Sequence, residues 1–286
     1  MYNIDHPDIV SLVDLALRED RGNGDITTLA IYTGEEAASG MVIAKQDGVI
    51  AGMELARLIC SKIDDTLQLK QFVGDGDFVK DGQNILKIEG NAASILTAER
   101  TLLNFMQRMS GIATNVRLFV RALSETSAVI LDTRKTVPGN RLTDKWAVSL
   151  GGGVNHRMRL DDMFLIKENH INVAGSIKKA VDRCVVYRSE KQIDRKIEVE
   201  VRDLNELSEA LDTSHCDVIL LDNMSDEMLR KAVLMTAGRA KLEASGNMTI
   251  DRVVSVATTG VDFISIGALT HSVKALDLSM IFQPKN

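Results

Sequence analysis

Two acidic side chains interrupt an apolar segment in the second half of the sequence. The run IEVEV places Glu198 and Glu200 two residues apart. Because side chains alternate between the two faces of a strand, both carboxylates share one face. Buried carboxylates are costly unless a cation or a metal ion balances them. We expect Glu198, the deeper of the two, to form a structural ion pair with Arg134 or Lys167. Glu200 lies nearer the strand end and is the better functional candidate.

A third acid, Asp222, follows four apolar residues in the run VILLDNM. An acid at the end of a strand often does no more than cap the following helix. Asn223 and Ser225 could fill that role in its place. The sequence therefore favours a functional role for Asp222.

Cations are concentrated in one stretch of the chain. Arg134 and Lys135 follow the apolar run AVIL, where solvated surface charge fits poorly. Between Thr133 and His170 there are seven lysines and arginines but four acids, a local charge of +3 in a chain of net charge −6. Arginine pairs with carboxylate or phosphate in a bidentate manner, and lysine acts as a point charge. The sequence predicts a cationic pocket for a small anion, whereas the net negative charge argues against nucleic-acid binding.

Glycine-rich motifs give weaker indications. GGGVNHRMRL lacks the spacing of a phosphate-binding P-loop, and His156 within it, taken alone, is more typical of a hydrogen-bonded structural histidine. Ser245-Gly246-Asn247 and Gly267-Ala268 follow the last two predicted strands, where barrels commonly bind phosphate through backbone N–H groups. Phosphate binding and ordinary turn formation explain these two segments equally well.

The elements that must position these residues alternate between strand and helix. Six segments predict strands, namely VILDTRK, MFLIKEN, IEVEV, VILLDN, KLEAS and FISIGA. Each carries or ends in a polar or small residue, although buried parallel strands are usually apolar. Polar groups at the C-terminal ends of successive strands are typical of an α/β barrel. A count of six strands leaves a doubly wound sheet as the alternative, but that fold would concentrate its site at one switch point.

The first third of the chain has a different pattern. A helix is predicted over residues 9–17 and a longer one over residues 94–116. Between them, residues 73–90 alternate apolar and polar side chains around Gly and Asp turns and predict a hairpin. The three cysteines form no metal or disulfide motif, and no signal peptide or membrane-spanning run is evident. We therefore expect a cytoplasmic protein with no membrane association.

Taken together, these motifs resemble the quinolinate phosphoribosyltransferase family over nearly the whole chain. The matching stretches are ALREDRGNGDITT, AERTLLNFMQRMSGIAT, LDTRKTVPG, GGGVNHRMRLDDMFLIKENHI, IEVEV, VILLDNM, LEASGN and TGVDFISIGALTHSV. The resemblance implies an α/β protein with an N-terminal α/β sandwich domain and an incomplete, TIM-like α/β barrel. The implied domains are residues 1–112, with residues 272–286 as a candidate addition, and residues 113–271.

The resemblance also implies an activity and partners. Enzymes of this family convert quinolinate and phosphoribosyl pyrophosphate to nicotinate mononucleotide, pyrophosphate and carbon dioxide in NAD biosynthesis. Mg²⁺ is the implied cofactor, and the two small molecules are the implied binding partners. The implied assembly is a homodimer with shared active sites, and further assembly into hexamers is left open.

Site residues follow from the same motif matches. Lys135, Glu200 and Asp222 are the implied catalytic groups, and the two acids are the implied Mg²⁺ ligands, directly or through substrate. Arg100 would reach from one subunit into the site of the other. The other implied substrate-binding residues are Thr133, Arg134, His156, Arg157, Lys167, Ser245, Gly246, Asn247, Ile266, Gly267 and Ala268.

Two positions depart from the family pattern. Arg159 stands where a small residue is usual, and Glu168 stands where aspartate is usual. Neither is an implied ligand, so both departures bear on loop geometry more than on function. Arg159 could also add positive charge at the rim of the site.

Two other functions compete with this interpretation. One is a phosphoribosyltransferase for a different pyridine, against which Arg134, His156 and Arg157 argue because they suit two carboxylates. The other is a catalytically silent protein that senses phosphorylated metabolites. Loss of Lys135 or of an acid would indicate such a protein, and none is lost.

Overall fold

The computed structural model describes residues 3–285, which divide into two compact units. Within the described residues, the first unit comprises residues 3–117, 136–152 and 270–285, and the second comprises residues 118–135 and 153–269. The expected domain boundary between residues 112 and 113 falls within a long helix, Ala92–Ala122, and stays a prediction. In the described part of the chain, no helix is long and apolar enough to cross a membrane.

Helices and strands alternate along most of the chain. In chain order they are α1 (Pro7–Arg21), α2 (Ile26–Ile31), β1 (Ala37–Ala44), β2 (Gly48–Val49), α3 (Met53–Ile63), β3 (Gln68–Gln71), β4 (Phe78–Val79), β5 (Asn84–Asn91), α4 (Ala92–Ala122), β6 (Val129–Leu131), α5 (Arg141–Gly151), β7 (Phe164–Ile166), α6 (Glu168–Ala174), α7 (Ile177–Glu190), β8 (Ile197–Val201), α8 (Leu204–Asp212), β9 (Val218–Asp222), α9 (Asp226–Thr236), β10 (Lys241–Ser245), α10 (Ile250–Ala257), β11 (Phe263–Ser265), α11 (Ala268–His271) and β12 (Leu278–Pro284).

The helices predicted in the first unit are confirmed and extend further than the patterns indicated. In α1, the buried residues Ile9, Val13 and Leu17 are four positions apart, which gives the helix one apolar stripe. Gly22 follows the last turn with φ of +50°, a conformation that glycine adopts without strain. The long pattern over residues 94–116 lies within α4.

The main sheet of the first unit is antiparallel, with the strand order β12-β1-β5-β3. The hairpin predicted over residues 73–90 is wrong. Its first strand, β4, pairs with β2, whereas β5 pairs with β1 and β3. The alternation located both strands but could not identify their partners. Pairing with β1 and β3 places Leu86 and Ile88 of β5 in the core.

Helices α4 and α5 of the first unit are joined by a buried ion pair. The Asp144 carboxylate accepts hydrogen bonds from Nε and Nη2 of Arg108 at 2.9 and 2.8 Å. Burial raises the pKa of Asp144, and the Arg108 guanidinium opposes that change. Arg108 also donates to the carbonyl of Thr270, at the start of the C-terminal segment. One guanidinium therefore links three segments of the unit that are distant in sequence.

The second unit contains one sheet of six parallel strands in the order β6-β11-β10-β9-β8-β7. All six predicted strands are confirmed. Spatial neighbours are consecutive in sequence from β7 to β11, and β6 lies beside β11, which is the cyclic order of an α/β barrel. Among residues 3–285 no ladder joins β6 to β7, so the barrel is incomplete at that seam. A doubly wound order is excluded.

The glycine-rich motif continues along the open side of β6. Val154 forms a parallel bridge with Leu131, and its carbonyl accepts the N–H of Asp132 at 3.2 Å. Two residues later, the N–H of His156 donates to the buried carboxylate of Asp132 at 2.8 Å. The extended segment from Val154 to His156 therefore lies beside β6 at the seam.

The ion pair within the first unit gives a stability prediction. Replacing Arg108 with methionine leaves the Asp144 carboxylate buried without its guanidinium, which should lower the free energy of unfolding by about 3 kcal/mol. Urea unfolding measures the change. Lys178→Met is the control, since Lys178 pairs with Asp182 on an exposed helix surface and its loss should cost less than about 1 kcal/mol. Equal effects of the two substitutions would contradict the prediction.

Candidate active site

A cavity of about 370 Å³ lies at the C-terminal ends of the barrel strands, in the second unit. Two larger cavities, of about 600 Å³ each, occur elsewhere in this unit, one with an apolar lining and one at the opposite ends of the strands. Active sites of α/β barrels form at the C-terminal ends. The lining residues of the smaller cavity are Thr133, Arg134, Lys135, His156, Arg157, Leu165, Lys167, Glu200, Leu220, Asp222, Glu243, Ser245 and Ser265.

Strand register explains why these side chains converge. Glu200 of β8 is aligned with Leu220 of β9, which is aligned with Glu243 of β10. Two residues further along the strands, Asp222 is aligned with Ser245. Because inward residues recur every second position, the acids occupy two successive levels of the barrel interior. The deeper level carries Glu243 and Glu200, and the level at the strand ends carries Asp222.

The imidazole of His156 forms the centre of a buried charge cluster. Its Nε2 lies 3.0 Å from Oε2 of Glu198 and 3.4 Å from Oε2 of Glu243. Both glutamates are almost completely buried, and Glu198 has no contact with solvent. Nδ1 of the same ring accepts the backbone N–H of Arg157 at 2.8 Å. His156 therefore links the segment beside β6 to β8 and β10 across the barrel interior.

The cluster retains a proton to unusually high pH. Burial disfavours a charged imidazole, but the two glutamates outweigh it and raise the pKa of His156 to about 9. Burial also disfavours the charged form of Glu198, which raises the pKa of that carboxyl group. Because Nδ1 accepts the Arg157 N–H, the ring carries its one proton on Nε2, and the additional proton that the cluster retains lies on Glu198, whose pKa is raised by burial.

Lys167 is held at the mouth of the cavity by its own backbone and by one acid. It is the N-cap residue of α6, and its N–H donates to Nδ1 of His170 at 2.9 Å. Its ammonium group lies 2.6 Å from Oε2 of Glu200. The sequence LIKENH therefore ends a strand, starts a helix and fixes a lysine at the strand end. An anion entering the cavity meets a lysine already balanced by a carboxylate.

Arg134 and Arg157 bring positive charge to the same wall. Partial burial and then repulsion from Arg134 lower the pKa of Arg157, although a guanidinium stays charged at any ordinary pH. The Arg157 guanidinium also donates to the carbonyl of Met163 at 3.1 Å, which holds it in place. Two guanidinium groups that repel each other in a partly buried wall are stabilised by a bound anion.

Asp222 is not the cap of the helix that follows it. Ser225 occupies the N-cap position of α9, and its hydroxyl accepts the N–H of Met228. Asp222 has its Oδ2 3.0 Å from the side-chain nitrogen of Asn223 and lines the cavity. Ser225 therefore caps the helix in place of Asp222, and the functional role of Asp222 stays a prediction.

Nine of the predicted site residues line this one cavity, and six do not. Arg100 is exposed on α4 in the first unit. The others follow β10 and β11 without lining the cavity, namely Gly246, Asn247, Ile266, Gly267 and Ala268.

Sequence reasoning missed Glu243 and Ser265, which line the cavity. The signal for Glu243 was present, because KLEAS carries an acid two residues before Ser245 on the same face of a strand. Ser265 follows two apolar residues of β11 and carried no comparable signal.

The expected partner of Glu198 was partly wrong. Lys167 pairs with Glu200, and the partner of Glu198 is His156. His156 belongs to a glycine-rich motif that does not predict where the histidine side chain points. The pattern therefore could not reveal its contact with Glu198. Of the two departures, Glu168 accepts a hydrogen bond from Arg202 at 2.7 Å. Arg159 lies in an exposed loop near Asp161 and does not line the cavity.

Two groups of side chains have donor atoms suited to a metal ion. In the described part of the chain, His156, Glu198 and Glu243 are the one group of three such residues with ligand atoms within 4.8 Å of one another. Their short separations and the high pKa of His156 fit a shared proton. Glu200 and Asp222 lie nearer the mouth and offer carboxylate oxygens, the donors that Mg²⁺ prefers.

A parallel barrel with a charged cavity at the C-terminal ends of its strands is the arrangement of an α/β-barrel enzyme. Models of the quinolinate phosphoribosyl transferase N-terminal and C-terminal domains match residues 25–110 and 112–281. The chain belongs to the quinolinate phosphoribosyltransferase family.

Individual relatives agree over the whole chain. The chain is 46% identical to the chloroplastic nicotinate-nucleotide pyrophosphorylase [carboxylating] of Arabidopsis thaliana, over 96% of this chain and 83% of the relative. It is 40% identical to the probable nicotinate-nucleotide pyrophosphorylase [carboxylating] of Bacillus subtilis, over 97% and 94%. The crystal structure of NadC from Streptococcus pyogenes superposes with a TM-score of 0.94 at 36% identity and covers both chains completely.

The charge cluster gives a pH prediction. The folded-state pKa of His156, about 9, exceeds its ordinary value of 6.5. The stability contributed by the raised pKa of His156 is therefore fully present below pH 6.5 and is lost as pH rises through about 9. Glu198→Gln removes one carboxylate and should move this loss to lower pH. Unfolding free energies between pH 6 and 10 measure it, and Glu125→Gln, on the surface, is the control. An unchanged pH profile for Glu198→Gln would contradict the prediction.

Proposed function

We propose that this protein transfers the phosphoribosyl group of phosphoribosyl pyrophosphate to the nitrogen of quinolinate and releases carbon dioxide. The products are nicotinate mononucleotide and pyrophosphate, for NAD synthesis. The observation that carries the proposal is that Arg134, Arg157, Lys135 and Lys167 line one cavity together with three acids, Glu200, Asp222 and Glu243. Membership of the family supplies the reaction, and the residues supply a reason why this chain can perform it.

The carboxylates of quinolinate are bound by the guanidinium wall. Arg134 and Arg157 each offer paired N–H donors, which suit two adjacent carboxylates better than one. Both ring nitrogens of His156 contact protein groups, so we assign it to holding Arg157 through the backbone N–H. In this scheme the imidazole orients a guanidinium and leaves the direct carboxylate contacts to the arginines. The placement keeps the pyridine nitrogen directed at the anomeric carbon of the ribose.

Phosphate groups are neutralised by lysines and by the turn after β10. Lys135 and Lys167 are the two ammonium groups of the cavity lining. Ser245 is the first residue of the Ser245-Gly246-Asn247 turn and also lines the cavity. Small residues allow backbone N–H groups to approach phosphate oxygens. We assign the 5-phosphate to this turn and to the Ile266-Gly267-Ala268 turn after β11, and the pyrophosphate to the lysines.

The ribose is held by Glu200 and Asp222, which accept hydrogen bonds from its hydroxyl groups. As pyrophosphate leaves, positive charge develops on the sugar, and two preorganised carboxylates stabilise it. The same two residues would hold Mg²⁺, directly or through the substrate. An ion held there would supply positive charge that offsets the charge of pyrophosphate. Their donor set fits this ion, because both are hard oxygen ligands at a cavity mouth.

The reaction has two chemical steps, phosphoribosyl transfer and decarboxylation. Apart from the two substrates, they require only a proton. The pyridine nitrogen forms a bond to the anomeric carbon as the bond to pyrophosphate breaks, and Lys135 neutralises the leaving group. The ring is then cationic at nitrogen. Cleavage of the bond to the adjacent carboxylate leaves its electron pair on the ring carbon, where the positive nitrogen stabilises it. That carbon takes up a proton, and carbon dioxide leaves.

The assembly and location are also part of the proposal. Arg100 lies on α4 and is absent from the cavity lining of its own chain, so we assign it to the cavity of a second copy in a homodimer. A cytoplasmic location is supported by three free cysteines, Cys60, Cys184 and Cys216, which suit a reducing compartment. Plant relatives have names that specify chloroplasts or mitochondria.

Substrate choice is tested by product formation from phosphoribosyl pyrophosphate and Mg²⁺, with quinolinate and nicotinate compared in parallel. We expect nicotinate mononucleotide from quinolinate alone, with one carbon dioxide per product. Product from nicotinate would mean a related enzyme for a different pyridine. Binding of phosphoribosyl pyrophosphate without turnover would mean a silent binding protein, and either result overturns the proposal.

The shared site is tested by mixing two inactive variants. Arg100→Ala lacks the guanidinium that completes the cavity of the partner subunit. Asp222→Ala lacks an acid in the cavity of its own chain. Each alone should lose nearly all activity. After the subunits have exchanged, mixed dimers contain one intact site, so an equal mixture should regain about a quarter of wild-type activity. An equal mixture of Asp222→Ala and Glu200→Ala is the control, because both lesions fall in one cavity. There the mixed dimer has no intact site, and recovery in this control would contradict a shared site.

A further inference from the structure

Asn223 connects two groups that the proposed function assigns to the phosphoribosyl moiety. Its side-chain nitrogen donates to Oδ2 of Asp222 at 3.0 Å. Its backbone N–H donates to the carbonyl of Ser245, also at 3.0 Å, on the neighbouring strand. Asn223 itself does not line the cavity. It therefore contacts two cavity-lining residues on neighbouring strands without lining the cavity itself.

The direction of the Asn223 side chain is fixed by its backbone. Its φ is +53°, a left-handed conformation that few residues except glycine and asparagine adopt readily. The loop beyond it is anchored. Arg252 donates to the carbonyl of Met224 at 2.9 Å and pairs with Asp226. A loop held at its far end and turned at Asn223 holds the amide group in one place.

The side chain of Asn223 occupies the space beside Gly246. A Cβ on Gly246 would overlap the Asn223 side-chain oxygen and lie 2.6 Å from its Cγ. Gly246 also has φ of +105°, which disfavours any side chain. The turn after β10 therefore packs its bare backbone against the amide of Asn223.

We propose that Asn223 is a positioning residue that sets the separation between the Asp222 carboxylate and the Gly246 turn. That separation determines how the ribose and its 5-phosphate fit, so the inference rests on the proposed function and deepens it. Quinolinate is bound by Arg134 and Arg157, which belong to other elements of the barrel. Loss of the Asn223 amide should therefore affect one substrate and spare the other.

Two substitutions separate the space-filling and hydrogen-bonding roles of the amide. Asn223→Gly keeps the left-handed backbone and removes the side chain. We expect the KM for phosphoribosyl pyrophosphate to rise about tenfold, the effect of losing one hydrogen bond to a charged group, with the KM for quinolinate changed less than about twofold. Asn223→Asp keeps the size, loses the donor and places a carboxylate beside Asp222. Its KM for phosphoribosyl pyrophosphate should rise further.

A double-variant cycle tests the contact with Gly246. Gly246→Ala alone should also raise the KM for phosphoribosyl pyrophosphate, because the new methyl group displaces the amide. In Asn223→Gly with Gly246→Ala the amide is already absent. The combined effect should be smaller than the product of the two single effects. Effects that simply multiply would mean that the two positions act independently, which overturns the proposal.

Ala237→Gly is the matched control. Ala237 has φ of +47° and ends α9, away from the cavity. Both kinetic constants should stay at wild-type values in this variant, and a change there would mean that left-handed positions act on the cavity through general loosening. Equal increases of both KM values in Asn223→Gly, or a lower unfolding temperature with unchanged KM values, would make Asn223 merely structural.

Calorimetric binding of phosphoribosyl pyrophosphate with Mg²⁺ separates this inference from the proposed function. A wild-type protein that turns over quinolinate, with an Asn223→Gly variant that binds equally well, overturns the inference alone. A wild-type protein that binds without turnover overturns the reaction, and the roughly tenfold weaker binding of the variant then supports the positioning role. Absence of binding by the wild type overturns both.

Discussion

The second unit depends on one interaction that crosses an open barrel. Where β6 and β7 are not joined by a ladder, the segment from Val154 to His156 lies beside β6, and the imidazole reaches Glu198 on β8 and Glu243 on β10. A sheet that does not close lacks the hydrogen bonds that hold its first and last strands in register. A charged contact through the interior supplies a connection of another kind. Because it is buried, breaking it by removing one partner is costly, and it requires a proton to be retained among groups that would otherwise repel.

The same constraint explains how the cavity tolerates its own charges. Its cations come from segments beside β6 and β7 and its acids from β8, β9 and β10, and Lys167 is already paired with Glu200. Such a cavity is preorganised to bind anions, although its cations are already partly neutralised by neighbouring acids. Binding therefore exchanges partners rather than creating every contact anew, and the protein tolerates the site in a chain of net charge −6.

The sequence located the strands of the barrel and several lining residues because both leave a local trace. An acid or a cation at the end of an apolar strand departs from what burial requires, so Glu200, Asp222 and Lys167 were visible. The family resemblance added Arg100, Thr133 and the substrate-binding roles of His156 and Arg157. It also favoured phosphate binding at the turns after β10 and β11, which the pattern alone had left open. Local patterns could not predict which side chains form ion pairs or which strands pair with each other. The partners of Glu198 and of β5 are fixed by packing between residues far apart in the chain, and Glu243 passed unnoticed because its meaning depends on His156.

The order of segments along the chain affects how the protein folds while it is being synthesised. Strand β1 lies between β12 and β5, so one of its edges has no partner until residues 278–284 have been synthesised. At ordinary translation rates the nearly 190 residues between β5 and β12 take roughly ten to forty seconds. During that interval the nascent chain carries an unpaired strand edge beside an emerging parallel sheet. The protein should therefore be more vulnerable to aggregation while it is being made than at any later time.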